Sequence, residues 1–199
     1  MKHLTRIKLL AAAAVIFVLP TLAEAGPPLI CHPFQTAGSE LLPWGTGPGW
    51  NTPDHRYDVQ RLTADTLRVM TSDAPVLARM ENLRRAVIYA TRDRQVADQL
   101  LAAVAARVTD TPNPIALFDA GYLIESFKQA AHMNGRTVTT ADGYAMVKKA
   151  LLVGGSNPEM EFAAALMTSG STSAAHLQRA RAATPAESLL ARNITNVGW

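Results

Sequence analysis

Apolar residues recur at the spacing of an α-helix in successive segments of this 199-residue chain. Segment 75–90 carries four of them at i, i+4, i+7 and i+11, and segment 94–108 repeats that spacing. They are Val76, Met80, Leu83 and Val87 in the first segment, and Ala97, Leu101, Val104 and Val108 in the second. The spacing predicts two helices, each with one apolar stripe. Because the turn at 91–93 is so short, we expect the two helices to pack antiparallel.

Residues that start or stop helices divide the rest of the chain at similar intervals. Asn113-Pro114 and Asn157-Pro158 each place a capping side chain before a proline that suits the first helical turn. Thr184-Pro185-Ala186-Glu187 adds an acid to a cap and a proline, and it is the strongest such pattern in the chain. The predicted helices are 58–70, 75–90, 94–108, 115–133, 144–153, 160–168, 172–183 and 185–192. Helix 115–133 is apolar over a wide arc, so we expect it to be the central one.

The first 56 residues lack the helical pattern and fall into two parts. Residues 1–25 combine basic residues, an apolar run from Leu9 to Leu19 and the sequence Ala23-Glu24-Ala25, which is the order of a cleavable secretory signal peptide. The run is shorter than the roughly 20 residues that a membrane-spanning helix needs. Residues 26–56 are dense in proline and glycine and predict an extended arm. Its apolar residues, which should hold it on the domain, are Leu29, Ile30, Phe34, Leu41, Leu42, Trp44 and Trp50.

The predicted fold is all-α, with residues 57–199 forming a single helical domain of stacked antiparallel hairpins. The signal peptide predicts export to the periplasm or the medium, with no integral membrane span after its cleavage.

Part of this domain resembles the tetratricopeptide repeat. The residues that carry the likeness lie within 114–170 and are 120–122, 144–151, 157–159 and 162–166, with sequences AGY, YAMVKKAL, NPE and FAAAL. The interval from Asn113 to Asn157 is 44 residues, against about 34 in that repeat. The resemblance implies stacked helix pairs with a concave surface that binds a peptide or a partner protein. Segments 28–33 and 42–44 are also similar to the start of some uncharacterised exported bacterial proteins.

The charge balance argues against nucleic acid as a partner. The chain has a net charge of +3, but loss of the signal peptide leaves 16 basic and 15 acidic side chains. Binding to a phosphate backbone needs a larger basic excess. The densest basic stretch contains Arg84, Arg85, Arg92 and Arg94, and we expect a solvated helix face there, paired locally with Glu81.

Cys31, His32, Asp54 and His55 are candidate metal ligands, with Glu40 as a further carboxylate. Thiolate, imidazole and carboxylate groups suit a transition metal such as zinc or copper, and loops often supply such ligands. In the alternative interpretation Cys31 packs as a small apolar residue, and both histidines form hydrogen bonds at the surface.

Cys31 is the single cysteine, so an intrachain disulfide is excluded, and pairing with a second chain would give a disulfide-linked dimer. As a nucleophile it would need a base such as His32, His132 or His176. Pro33 favours an extended backbone at His32, which argues against the nearest of these.

Four acids are candidate general acids or bases: Asp119, Glu125, Glu159 and Glu161. We expect Asp119 and Glu159 in first helical turns, where the helix dipole stabilises a carboxylate, and Glu125 to be partly buried.

The absence of a recognisable catalytic spacing makes a non-enzymatic role the first hypothesis: an envelope or secreted protein that binds a protein or peptide. The second is a small metal- or thiol-dependent activity at Cys31, His32, Asp54 and His55.

Overall fold

The computed structural model describes residues 28–199, and every regular element within this range is a helix. This confirms the all-α prediction. The predicted signal peptide, residues 1–25, lies outside the described residues. The elements are α1 (Pro28–Cys31), a 3-10 helix (Val59–Arg61), α2 (Leu62–Val69), α3 (Val76–Ala90), α4 (Arg94–Ala105), α5 (Pro114–Asn134), α6 (Gly143–Gly154), α7 (Pro158–Met167), α8 (Gly170–Ala182) and α9 (Leu189–Asn196).

Side-chain caps start several of these helices where the sequence predicts them. Asn113 Oδ1 accepts hydrogen bonds from the backbone N–H groups of Ile115 and Ala116, at 2.9 and 3.1 Å. Asn157 makes the equivalent pair of bonds at the start of α7. Each asparagine satisfies two N–H groups that have no partner inside the helix, and the proline that follows has no N–H to satisfy.

The last helix starts later than predicted: it begins at Leu189, and Thr184-Pro185-Ala186-Glu187 lies outside it. The Thr184 hydroxyl donates back to the carbonyl of Ala180, and the Ser188 N–H donates to the carbonyl of Pro185, which closes a turn. Ser188 is the N-cap, because its Oγ accepts from the Ala191 N–H at 3.1 Å. The predicted helix at 58–70 also differs, since it begins with the 3-10 helix, and that at 94–108 ends earlier.

The two C-terminal helix pairs pack as antiparallel hairpins. In the first, Gly143 at the start of α6 lies against Gly121 in α5, while Gly154 at the other end of α6 lies against Pro114. A Cβ atom at Gly121 would be 2.5 Å from the Gly143 carbonyl oxygen, so the two glycines permit a close approach of the backbones. In the second hairpin, the Ser173 hydroxyl of α8 donates to the Ala165 carbonyl of α7.

Helix α5 is central, as its apolar arc predicts. It contacts α1, α3, α4, α6 and α7. Helix α3 packs more extensively on α5 than on α4, its neighbour in sequence. The fully buried side chains at the centre of the core include Leu83, Phe118, Leu123, Phe127 and Phe162.

Candidate functional site

Helix α3 carries charged side chains that are almost completely removed from solvent. Arg79 and Arg84 are 0% exposed and Glu81 is 1% exposed. The predicted pairing of Glu81 with Arg84 and Arg85 is present, but the predicted solvated face is wrong for Arg84. Its guanidinium donates to the carbonyls of Ile30 and Trp50, so the segment preceding α2 covers it.

Glu81 joins that segment to α3. Its two oxygens accept from Arg84 Nε and Nη2, both at 2.8 Å, and from Arg85 Nε at 2.7 Å. It also accepts from the Phe34 backbone N–H at 3.0 Å. A carboxylate that accepts four hydrogen bonds has little capacity left to bind a ligand, so this cluster is structural.

Asp119 lies beyond the first turn of α5, contrary to the sequence prediction, and is 0% exposed. Its Oδ2 lies 2.7 Å from Arg79 Nη1 and 3.2 Å from Arg107 Nη1, so ion pairs replace the helix dipole as its stabilising contact. Burial raises the pKa of Asp119 to about 6, although both arginines act to lower it.

Glu159 and Glu125 lie where the sequence predicts them, in a first helical turn and in a largely buried position. Glu159 is in the first turn of α7 and accepts from the Leu77 N–H at 3.3 Å. Burial raises the pKa of Glu159. Glu125 is 8% exposed, pairs with Lys128 at 2.8 Å and accepts from the Gly143 N–H at 2.9 Å.

A chain of acid, imidazole and hydroxyl connects α7, α8 and α6. His176 Nδ1 is 2.5 Å from Glu161 Oε2, and His176 Nε2 is 2.8 Å from the Tyr144 hydroxyl oxygen. Arg179 closes the cluster, with its Nε 2.9 Å from Glu161 Oε1. Burial raises the pKa of Tyr144 and keeps its hydroxyl protonated, the opposite of what a nucleophile needs. The cluster therefore serves to hold α6 on α7 and α8.

Cys31 and His32 lie at the end of α1, while Asp54 and His55 follow in the segment before α2. Within residues 28–199, no three His, Cys, Asp or Glu side chains form a group that could hold a metal ion. Asp54 Oδ1 is taken by the backbone N–H and Nε of Arg56, and Glu40 pairs with Arg68. These two carboxylates are therefore engaged elsewhere.

The environment of Cys31 and His32 favours their neutral forms. Burial raises the pKa of the Cys31 thiol, although the charge of Arg84 acts to lower it. Burial also lowers the pKa of His32. The thiol is the less reactive form of cysteine, and so this environment does not activate Cys31 as a nucleophile.

An open cleft lies where the α3–α4 connection faces the C-terminal end of α5 and the loop after it. It has two adjoining recesses of about 400 and 340 Å³. The exposed surface of the first recess is mainly apolar and that of the second is mainly polar, and both recesses share Thr91, Ala130, Asn134 and Arg136. The remaining lining residues are Ala90, Arg94, Ala97, Phe127, Thr137 and Val138 in the first recess, and Ile30, Trp50, Asn51, Ile88 and Arg92 in the second.

Among the described residues, the cleft is lined by three arginines and no acid. The Nε of Arg94 lies 2.9 Å from Asp98 Oδ1, so its charge is already partnered. Arg92 and Arg136 make no ion pair with any described residue, unlike most arginines of the helical part. In the sequence, Arg92 and Arg94 stand out only as part of a basic stretch. No sequence pattern indicates Arg136, which follows the helix end at Asn134-Gly135.

Across residues 28–199, no helix combines the length and the apolar character that crossing a membrane requires. No protein-family model, curated protein or solved structure matches the chain.

Proposed function

We propose that this is an exported binding protein that holds a segment of a protein or peptide partner in the cell envelope, through the cleft between α3–α4 and the end of α5. The cleft carries the proposal. It combines an apolar recess, lined by Phe127, Ala130 and Val138, with polar and cationic side chains around it, which is the usual composition of a binding site. The buried acids described above are held by arginines, a lysine or backbone amides, which suits a rigid scaffold.

The proposal also includes the arrangement of the helix pairs and of the N-terminal segment. We interpret α5–α6 and α7–α8 as consecutive hairpins of a tetratricopeptide-like stack, and residues 28–56, the described part of the predicted arm 26–56, as wrapped on it. The antiparallel contacts of Gly121 with Gly143 support the first part. The buried hydrogen bonds that the Phe34 and Leu42 N–H groups donate to Glu81 and Asn82 support the second part.

Cross-linking in intact cells of the source organism would test this function. Asn134 lines both recesses and is exposed, so Asn134→Trp should fill the cleft without disturbing the core. Ser171→Trp is the matched control, because it adds the same ring at an exposed position on α8. We expect wild type and Ser171→Trp to yield the same cross-linked partner and Asn134→Trp to lose it. Failure to find a reproducible partner would refute the function, and a partner retained by Asn134→Trp would refute the site.

The metal- or thiol-dependent activity at Cys31, His32, Asp54 and His55 stays an alternative prediction. Metal analysis of the purified protein tests it, and a stoichiometric transition metal that is lost in Cys31→Ser would favour it over the binding role. A non-reducing gel tests the disulfide-linked dimer through Cys31.

A further inference from the structure

We propose, on the basis of the binding function above, that the cleft recognises an extended acidic peptide segment: an apolar side chain enters the first recess, and a side-chain carboxylate lies between Arg92 and Arg136 in the second. The two recesses differ in character, and this difference carries the inference. Phe127 and Val138 line the first recess, whereas Asn51, Asn134 and the two arginines without an ion pair to a described residue line the second.

Charge complementarity selects the carboxylate. Arg92 and Arg136 are exposed, and neither pairs with an acid of the described chain. Both side chains carry a positive charge at the same recess, and a carboxylate between them would offset these charges and accept charge-assisted hydrogen bonds. A basic ligand would face the same two arginines, and no acid among the described lining residues would offset their charge.

The side-by-side placement of the recesses selects a peptide segment. They share Thr91, Ala130, Asn134 and Arg136, so one continuous chain can reach both. In an extended peptide, residues i and i+2 point to the same side. An apolar residue two positions from Asp or Glu therefore presents both groups to the cleft at once, and requires no free terminus.

Fluorescence polarisation with short labelled peptides, acetylated and amidated at their ends, tests this directly. The parent set carries a Leu-Ser-Glu core within varied flanks, and matched sets replace Glu by Gln or Lys, or Leu by Ser. We expect the Glu peptides to bind at least about tenfold more tightly than the Gln peptides, since one charge-assisted hydrogen bond contributes that much. Binding should weaken as salt is raised.

Variants of the protein test whether Arg92 and Arg136 bind the Glu side chain of the peptide. Arg92→Gln and Arg136→Gln should each weaken the Glu peptides about tenfold and leave the Gln peptides almost unchanged. Arg181→Gln is the control, since Arg181 is another exposed arginine without an ion pair in the described chain, and it lies on α8 away from the cleft. An equal loss in Arg181→Gln would show unspecific charge attraction and overturn the proposal.

The remaining outcomes separate this inference from the function on which it rests. If Gln or Lys peptides bind as tightly as Glu peptides, the function stands and the acidic specificity is wrong. If no peptide binds, the acidic-peptide inference fails, and the cross-linking experiment above decides separately whether the function stands. Phenylacetate joins the same assay as a competitor, and if it binds more tightly than every peptide, the cleft is a small-molecule site and the peptide proposal is overturned.

Discussion

Glu81 is the residue whose charge the surrounding structure depends on most directly. It balances the fully buried Arg84 and the largely buried Arg85, and it accepts the Phe34 N–H. Glu81→Gln would leave a buried guanidinium without a counter-charge, so we expect it to lower the free energy of unfolding by about 3–5 kcal/mol. Urea denaturation followed by circular dichroism measures this. The control is Asp98→Asn, which breaks an exposed pair with Arg94 and should change stability far less.

Asp119 should give the protein an unusual dependence on pH. Its pKa is raised to about 6 by burial, and its Oδ1 has no hydrogen-bond partner among the described residues. Between its unfolded pKa, near 4, and about 6, the folded state binds more protons than the unfolded state, so this group lowers stability as pH rises.

The expected measurement is a difference between two proteins. The free energy of unfolding of wild type relative to Asp119→Asn should fall by about 3 kcal/mol as the pH rises from below 4 to above 6. A constant difference in stability between the two proteins does not affect this test, because only the change of the difference with pH is measured. A difference that stays constant or rises over this range would show that Arg79 and Arg107 outweigh burial.

At the scale of elements, the hairpin of α5 and α6 depends on two glycines. A methyl group at Gly121 would lie 2.5 Å from the Gly143 carbonyl oxygen and 2.9 Å from Val147 Cγ2. Gly121→Ala would gain about 1 kcal/mol of helix propensity, but the backbone of α6 would have to move. We expect a net loss of about 1–2 kcal/mol in thermal or urea unfolding. Ala145→Ser on the exposed face of α6 should be nearly neutral, and a stabilised Gly121→Ala would contradict the close approach.

The start of α9 offers a test that separates the structure from the sequence pattern. Ser188→Ala removes the oxygen that accepts the Ala191 N–H, so we expect a loss of about 1 kcal/mol and faster hydrogen exchange of that amide. Glu187→Gln changes the residue that the sequence pattern would use for capping, and it should leave the exchange rate unchanged. The reverse result would support the helix start at Pro185.

At the scale of the whole molecule, the sequence predicts structure that depends on neighbouring residues, such as helix starts. It does not predict contacts between segments that are distant in sequence. The helix starts at Asn113 and Asn157 were predictable, because the capping oxygen and the amides it serves lie within three residues of each other. The start of α9 was not, since the turn closed by Pro185 and Ser188 competes with the predicted cap. Burial of Arg84 depends on carbonyls 34 and 54 residues away.

The cleft was unpredictable for the same reason. Its lining extends from Ile30 to Val138, and only the packing of α3 on α5 brings these residues together. The basic stretch in the sequence includes Arg92 and Arg94. A helix pattern cannot show that Arg94 pairs with Asp98, whereas Arg92 and Arg136 form no ion pair with a described residue.

The central claim, that this cleft holds a partner segment, is tested most directly by chemical-shift mapping of the 15N-labelled protein during titration with the tightest-binding amidated Glu peptide. We predict that the largest shifts are confined to the backbone amides of Thr91, Arg92, Asn134 and Arg136, and that they vanish in Asn134→Trp. Shifts centred on α8 or α9, or shifts that persist unchanged in that variant, would contradict the account.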